Sequence, residues 1–187
     1  VIESRGLGDV YKRQVYENGW VQKKGWNWTR PYGLAALDNE PVVHINFNEA
    51  ENYCKWNKKR IPTKKEWELA AYTEFRTNNK DGYKFKKSYP YPTGENTLGL
   101  NCFNDCNFNY PSKYSKFLLR GYGHVSTFST KKGINGLYDM GGNVWEWVDI
   151  NDNSHKGTKG GSWWYGKNQM TQGYNATKPK NMSAVYL

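Results

Sequence analysis

The sequence predicts an α+β domain of loop-rich build, in which two helices pack on a small twisted antiparallel sheet. Three observations predict it. Two capping boxes, Asn48 with Glu51 and Thr63 with Glu66, each open a short run with one apolar face. Two Trp-rich segments, NVWEWVDI at 143–150 and TKGGSWWY at 158–165, read as short strands joined by a turn through Asn151, Asp152 and Asn153. Between helices and strands, residues 73–135 are rich in Asn, Lys, Gly, Tyr and Pro and show no durable period.

In chain order, residues 1–14, VIESRGLGDVYKRQ, read as a translated adapter sequence rather than as domain. The domain is therefore expected over 15–187. PVVHINF at 41–47 alternates enough to be a strand leading into the first helix. That helix places Ala50, Tyr53, Cys54 and Asn57 on one face. Pro62 ends the connection, and the second helix carries Trp67, Ala70 and Ala71 as its buried stripe. An irregular stretch as long as 73–135 is usually functional or pinned by a ligand, and calcium is the expected pin.

Composition narrows the class of function. The 187 residues suffice for one domain with a real core. Aromatics make up 17% of the chain against 37% hydrophobic residues, so Trp and Tyr must fill much of that core. No apolar run approaches the ~20 residues that a membrane span requires. The net charge of +10 is scattered in lysine pairs such as Lys23-Lys24, Lys64-Lys65 and Lys131-Lys132. With no nucleic-acid module beside them, these read as a solvated surface, and no nucleic-acid partner is expected.

Chemistry concentrates in GLYDMGGNVWEW, residues 136–147. Gly141-Gly142 permits a sharp turn that points carbonyl oxygens inward. Asp139 and Glu146 add hard anionic oxygens on either side of that turn. Carboxylates with inward carbonyls suit Ca²⁺, which takes six to eight oxygens in a flexible shell. The plain alternative is a glycine turn between buried strands, with solvated acids. Cys102 and Cys106, in NCFNDC, read either as a local disulfide or as two thiols. Zinc is not expected there, because two further ligands are missing.

PVVHINFNEAENYCKW at 41–56, KRIPTKKEWELAAY at 59–72, GLYDMGGNVWEW at 136–147 and KGGSWW at 159–164, preceded by GWNWTRPYG at 25–33, resemble the formylglycine-generating enzyme (sulfatase-modifying factor) family in order and spacing. The resemblance implies a C-type-lectin-like fold. It implies a calcium site of the Asp139 side chain, the carbonyls of Gly142 and Val144, and the Glu146 carboxylate; a second family site begins near Asn101, beyond which the chain does not align. It implies a substrate groove lined by Trp145, Ser162, Trp164 and Tyr165, with strand alternation turning Trp164 to the cleft and Trp163 inward. Active members oxidise a target cysteine with O₂ and a copper ion held by two cysteines, and those positions are Tyr165 and Met170 here. Neither supplies a thiolate, so copper is not expected at that site and no catalytic residue is assigned. Iron is not expected either, since His44, His124 and His155 show no paired spacing. The resemblance also gives Cys54 a partner in a C-terminal segment beyond AVYL, which implies a chain truncated there. Exported bacterial proteins, gliding-motility lipoproteins among them, resemble the domain without being known sulfatase activators, which agrees with a binding role; the sequence does not fix the compartment, and an exported or periplasmic site is one option.

The function expected is a calcium-stabilised binding or scaffold domain with a peptide or glycan ligand. The alternative is an oxidoreductase of the same superfamily, of formylglycine-generating or non-haem iron type, with altered catalytic groups.

Overall fold

The computed structural model describes residues 14–16, 20–107, 112–114 and 123–187. The adapter reading therefore lies, but for Gln14, outside the described residues. Strands β1 (Gln14–Tyr16) and β2 (Trp20–Gln22) form an antiparallel hairpin that the sequence reading did not foresee. Helices α1 (Phe47–Trp56) and α2 (Lys64–Tyr72) follow. The second sheet is antiparallel, in the order β3 (Glu146–Val148), β4 (His155–Lys159), β5 (Ala176–Pro179). Among the described residues no helix is long and apolar enough to cross a membrane.

Helix α1 starts two residues earlier than the sequence reading placed it. Asn46 is the cap: its side chain accepts the Glu49 N–H at 3.0 Å, and the Glu49 carboxylate accepts the Asn46 N–H at 2.8 Å. The run NFNEAE holds two overlapping capping boxes, and burial chooses between them. Capping at Asn46 turns Phe47 and Ala50 inward, whereas Tyr53 stays exposed. Residues 41–46 are not a strand. His44 sits at φ 60°, and its N–H donates to the carbonyl of Leu187 at 2.8 Å, so the segment pairs with the C-terminal turn instead of a ladder. Helix α2 is capped as expected by the reciprocal Thr63–Glu66 pair. It buries Trp67, Ala71 and Tyr72, with Ala70 at the margin.

The sheet has two covered faces. Alternation along β3 puts Trp147 and Val148 on opposite sides. Trp147 meets Phe47 of α1 edge to face at 5.8 Å, and Val148 packs under Trp67, Ala71 and Tyr72 of α2. Lys159, at the end of β4, also reaches the α2 side. Its ammonium donates to Glu68 at 2.9 Å and to the Tyr174 carbonyl at 2.6 Å. Strand β4 begins earlier than expected and stops at Lys159, because Gly160 and Gly161 take φ values of 91° and 75°. GGSWWY is therefore a turn and not a strand, and alternation does not separate Trp163 from Trp164. Both are buried in the main core.

The long irregular stretch is as expected: its described residues contain neither α-helix nor strand up to a single 3-10 turn, Ile134–Gly136. Side chains hold it. Arg76 bridges Glu74 and Asp81, each at 2.8 Å. Asn135 donates to the carbonyls of Ala70 and Thr73, which ties the stretch to the end of α2. Cys102 and Cys106 are joined as a disulfide.

Candidate functional site

The 139–146 turn is assembled from residues that local sequence alone could not orient. Asp139, at φ 59°, accepts the Phe128 N–H at 2.9 Å and the Thr130 hydroxyl at 2.7 Å. Gly142, at φ 72°, donates its N–H to the Gly160 carbonyl at 2.8 Å, which locks the turn to the GGS segment. The Asn143 side chain accepts the Val125 N–H and returns a bond to the Val125 carbonyl. The turn thereby leans on residues 123–130.

Glu146 opens β3 and points to the α2 face, where it accepts the Trp67 indole N–H at 2.7 Å. Burial pushes its carboxyl up to about 7, the Trp67 bond works against this, and the charge of Asp139 adds to the rise. Asp139 is thus close enough for its charge to oppose the ionisation of Glu146. Among the described residues neither has a Lys or Arg partner. The carbonyls of Gly142 and Val144 accept no hydrogen bond from any described residue. Two acids and two open carbonyls are hard oxygen donors, the class of ligand that calcium takes. Among the described residues no three His, Cys, Asp or Glu side chains converge, so backbone oxygens would supply much of the shell.

The groove residues lie mostly in the core. Trp145 and Trp164 are 4% and 6% exposed, and Ser162 is fully buried, its oxygen facing the Trp164 N–H rather than a histidine or carboxylate. Tyr165 keeps an accessible edge, packing against Trp145 at 5.6 Å and Tyr186 at 5.7 Å. Tyr174, also half-buried, stacks on Trp145 at 6.1 Å. Met170 is buried against Leu100, Cys102 and Cys106. Neither Tyr165 nor Met170 can act as the thiolate that a copper pair would need. The histidines stay apart: His44 Nε2 bonds the Pro31 carbonyl, His124 Nδ1 the Tyr32 hydroxyl, and His155 is exposed beside Ser154.

One polar network went unread in the sequence. Buried Glu40 accepts the Tyr114 hydroxyl at 2.7 Å and the Lys113 ammonium at 2.6 Å, and lies 3.7 Å from His124 Nε2. Its members come from separate segments, so no spacing rule could have found it. Burial alone would raise the Glu40 carboxyl, but the nearby His124 ring and the bonds from Lys113 and Tyr114 prevail and hold it at about 2. A folded-state value below the unfolded one gives stability that is present above pH 4.5 and lost as pH falls toward 2. The loss expected from this one group is up to about 3 kcal/mol. Urea midpoints measured from pH 6 to pH 2 test it: Glu40→Gln should be less stable than wild type at pH 6 and should close that gap on acidification.

Comparisons place this arrangement among known proteins. The profile of the sulfatase-modifying factor enzyme 1-like domain family matches residues 4–185. The formylglycine-generating enzyme of Streptomyces coelicolor is 31% identical over 135 residues, covering 68% of this chain and 39% of that protein. The inactive C-alpha-formylglycine-generating enzyme 2 of Bos taurus is 32% identical over 153 residues, covering 77% of this chain and 46% of that protein. The chain thus spans less than half the length of these relatives. Among solved structures, Treponema denticola variable protein 1 superposes with a TM-score of 0.55 at 18% identity, covering 87% of this chain and 76% of that one. That likeness shows the fold, and the two helices on a small antiparallel sheet are those of the C-type-lectin-like fold.

Proposed function

We propose, from the premise that the chain belongs to the sulfatase-modifying factor enzyme 1-like domain family, that it is a calcium-stabilised binding or scaffold domain without copper-thiolate oxidase activity. The observation that carries the reading is the pairing of Asp139 and Glu146 with no cationic side chain between them, beside two carbonyls that no described donor uses. Like charges held side by side at half-buried positions are costly unless a cation joins them. Asp139, Glu146 and the carbonyls of Gly142 and Val144 would hold calcium. The ion would supply positive charge that keeps both acids ionised and fixes the turn against Gly160. The half-buried edges of Tyr165 and Tyr174, flanking Trp145, would offer a flat surface to a peptide or glycan ligand.

Removal of calcium tests the first part. A ligand held only by the native state raises stability by mass action, by about 2.7 kcal/mol at a hundredfold excess over its Kd. Calcium should therefore raise the melting temperature of the wild type, and EGTA should abolish the rise. In Glu146→Gln the amide oxygen can still accept the Trp67 N–H. That variant should match or exceed the chelated wild type and gain little from calcium. An unchanged wild-type melting curve with and without chelator sinks the calcium reading.

The second part rests on Tyr165 and Met170. Incubated with copper and O₂, the protein should leave the cysteine of a sulfatase-derived peptide intact, as read by mass spectrometry. Replacement of the thiol by an aldehyde would show an oxidase, and would favour the reading as a catalytic member of the superfamily.

A further inference from the structure

Three lysines of the second sheet have buried or half-buried side chains, and two of them are matched by acceptors. Lys156 donates to Asp149 at 2.8 Å and lies over the Phe47 ring. Lys159 donates to Glu68 at 2.9 Å and to the Tyr174 carbonyl at 2.6 Å. Lys178 is the third. Alternation along β5 turns Ala176 and Lys178 toward the core and Thr177 and Pro179 toward solvent. The Lys178 ammonium stands 6.0 Å from the centre of the Trp145 ring, and no acceptor among the described residues takes a bond from it. Its ladder partner is Lys156, whose own ammonium is already engaged. Burial is the sole cause that pushes the Lys178 ammonium below the usual lysine range, and no carboxylate offsets it.

A charge drawn out of water without a partner costs the fold stability. A cation–π contact at the limiting distance of about 6 Å returns little of that cost. The other polar group of this ring is also a donor: the Trp145 indole N–H is buried and meets no acceptor among the described residues. Tyr165 and Tyr174 flank the ring, and both are half-buried. The face thus joins flat aromatic surface to an unmatched positive charge, which calls for a ligand that is both flat and anionic. Among the described residues β5 is an edge strand, where a peptide would add by strand pairing. It is only four residues long, and Pro179 has no N–H to give to such a pairing. A pyranose, in contrast, carries a flat C–H face and an anionic substituent on one rigid ring. It stacks and pairs without the ordering cost of a flexible acidic side chain.

We propose that Lys178 is the anion-recognising group of this face, and that its ligand is an acidic sugar, a pyranose bearing a carboxylate or a sulfate, stacked on Tyr165 and Tyr174. This assignment rests on the binding role proposed above for the two tyrosines and gives that role a ligand class. Calcium at the 139–146 turn is not part of it.

Isothermal titration of the whole chain with four probes tests the assignment: tetragalacturonate, its uncharged methyl ester, a heparin tetrasaccharide and tetraglutamate. At least one acidic sugar should bind about tenfold or more tightly than the methyl ester, the worth of one charge-assisted hydrogen bond. Which of the two binds assigns the group as carboxylate or sulfate. Lys178→Gln should remove the preference and leave the methyl ester unaffected, whereas Lys180→Gln, at an exposed neighbour, should keep it. Tyr174→Ala should weaken acidic and neutral sugar alike. Because the ammonium has no acceptor among the described residues, Lys178→Gln should melt no lower than the wild type. A lower melting temperature would mean that the charge serves the fold, and overturns the proposal. Equal affinity for acid and ester, or acidic binding that survives Lys178→Gln, overturns it while leaving an aromatic binding face. Tighter binding of tetraglutamate than of either acidic sugar overturns it in favour of an acidic peptide. Failure of all four probes to bind sinks the binding face as well.

Discussion

Gly142→Ala should be among the most damaging single substitutions in this protein, with a loss of more than about 4 kcal/mol or outright failure to fold. Two effects combine. At φ 72° a side chain is strained whatever the space around it. A Cβ at this position would also stand 2.4 Å from the Asn101 carbonyl oxygen, which is backbone and cannot swing away. That carbonyl accepts the Asn143 N–H at 2.8 Å, so relief of the clash would pull apart the bridge between 101 and 142. Urea unfolding of purified protein, or soluble yield where none can be purified, measures the outcome. A loss below about 1 kcal/mol would mean that the turn is far more pliable than its contacts imply. The effect should persist with and without calcium, which separates it from loss of a ligand.

Trp163→Ala and Trp164→Ala should both be severe, each costing about 3–5 kcal/mol. Trp163 is fully buried and Trp164 is 6% exposed, and their rings meet edge to face at 5.5 Å in the cluster that holds Trp145, Trp147 and Tyr186. Removing either indole opens a cavity that the remaining rings cannot fill without breaking their own contacts. The strand reading of GGSWWY implies a different result, with Trp164 dispensable for folding and Trp163 essential. A mild effect of Trp164→Ala beside a severe effect of Trp163→Ala would favour that reading and put Trp164 in a cleft. Because the rings touch, the double variant should cost less than the two single losses together.

What could be read from this sequence was local. The Thr63–Glu66 cap, the sharp Gly-Gly turn and the aperiodic course of 73–135 each depend on residues a few positions apart, whose geometry a short segment dictates. Family membership was legible for a similar reason, as ordered blocks with the right spacing. Choices between local solutions of similar merit belonged to the tertiary structure. NFNEAE offers two capping boxes, and the burial of Phe47 and Ala50 selects the first. PVVHINF has strand-like alternation, yet the carbonyl of Leu187 takes its backbone donor and forces His44 into the left-handed region. The same holds for each meeting between distant residues. Glu146 finds Trp67 across 79 positions, Cys106 finds Met170 across 64, and Tyr32 finds His124 across 92. No propensity or period carries such pairings. They exist because packing of the two helices and the long loop around one small sheet decides which side chains share a buried volume, and only then do hydrogen bonds, charges and sulfurs choose their partners.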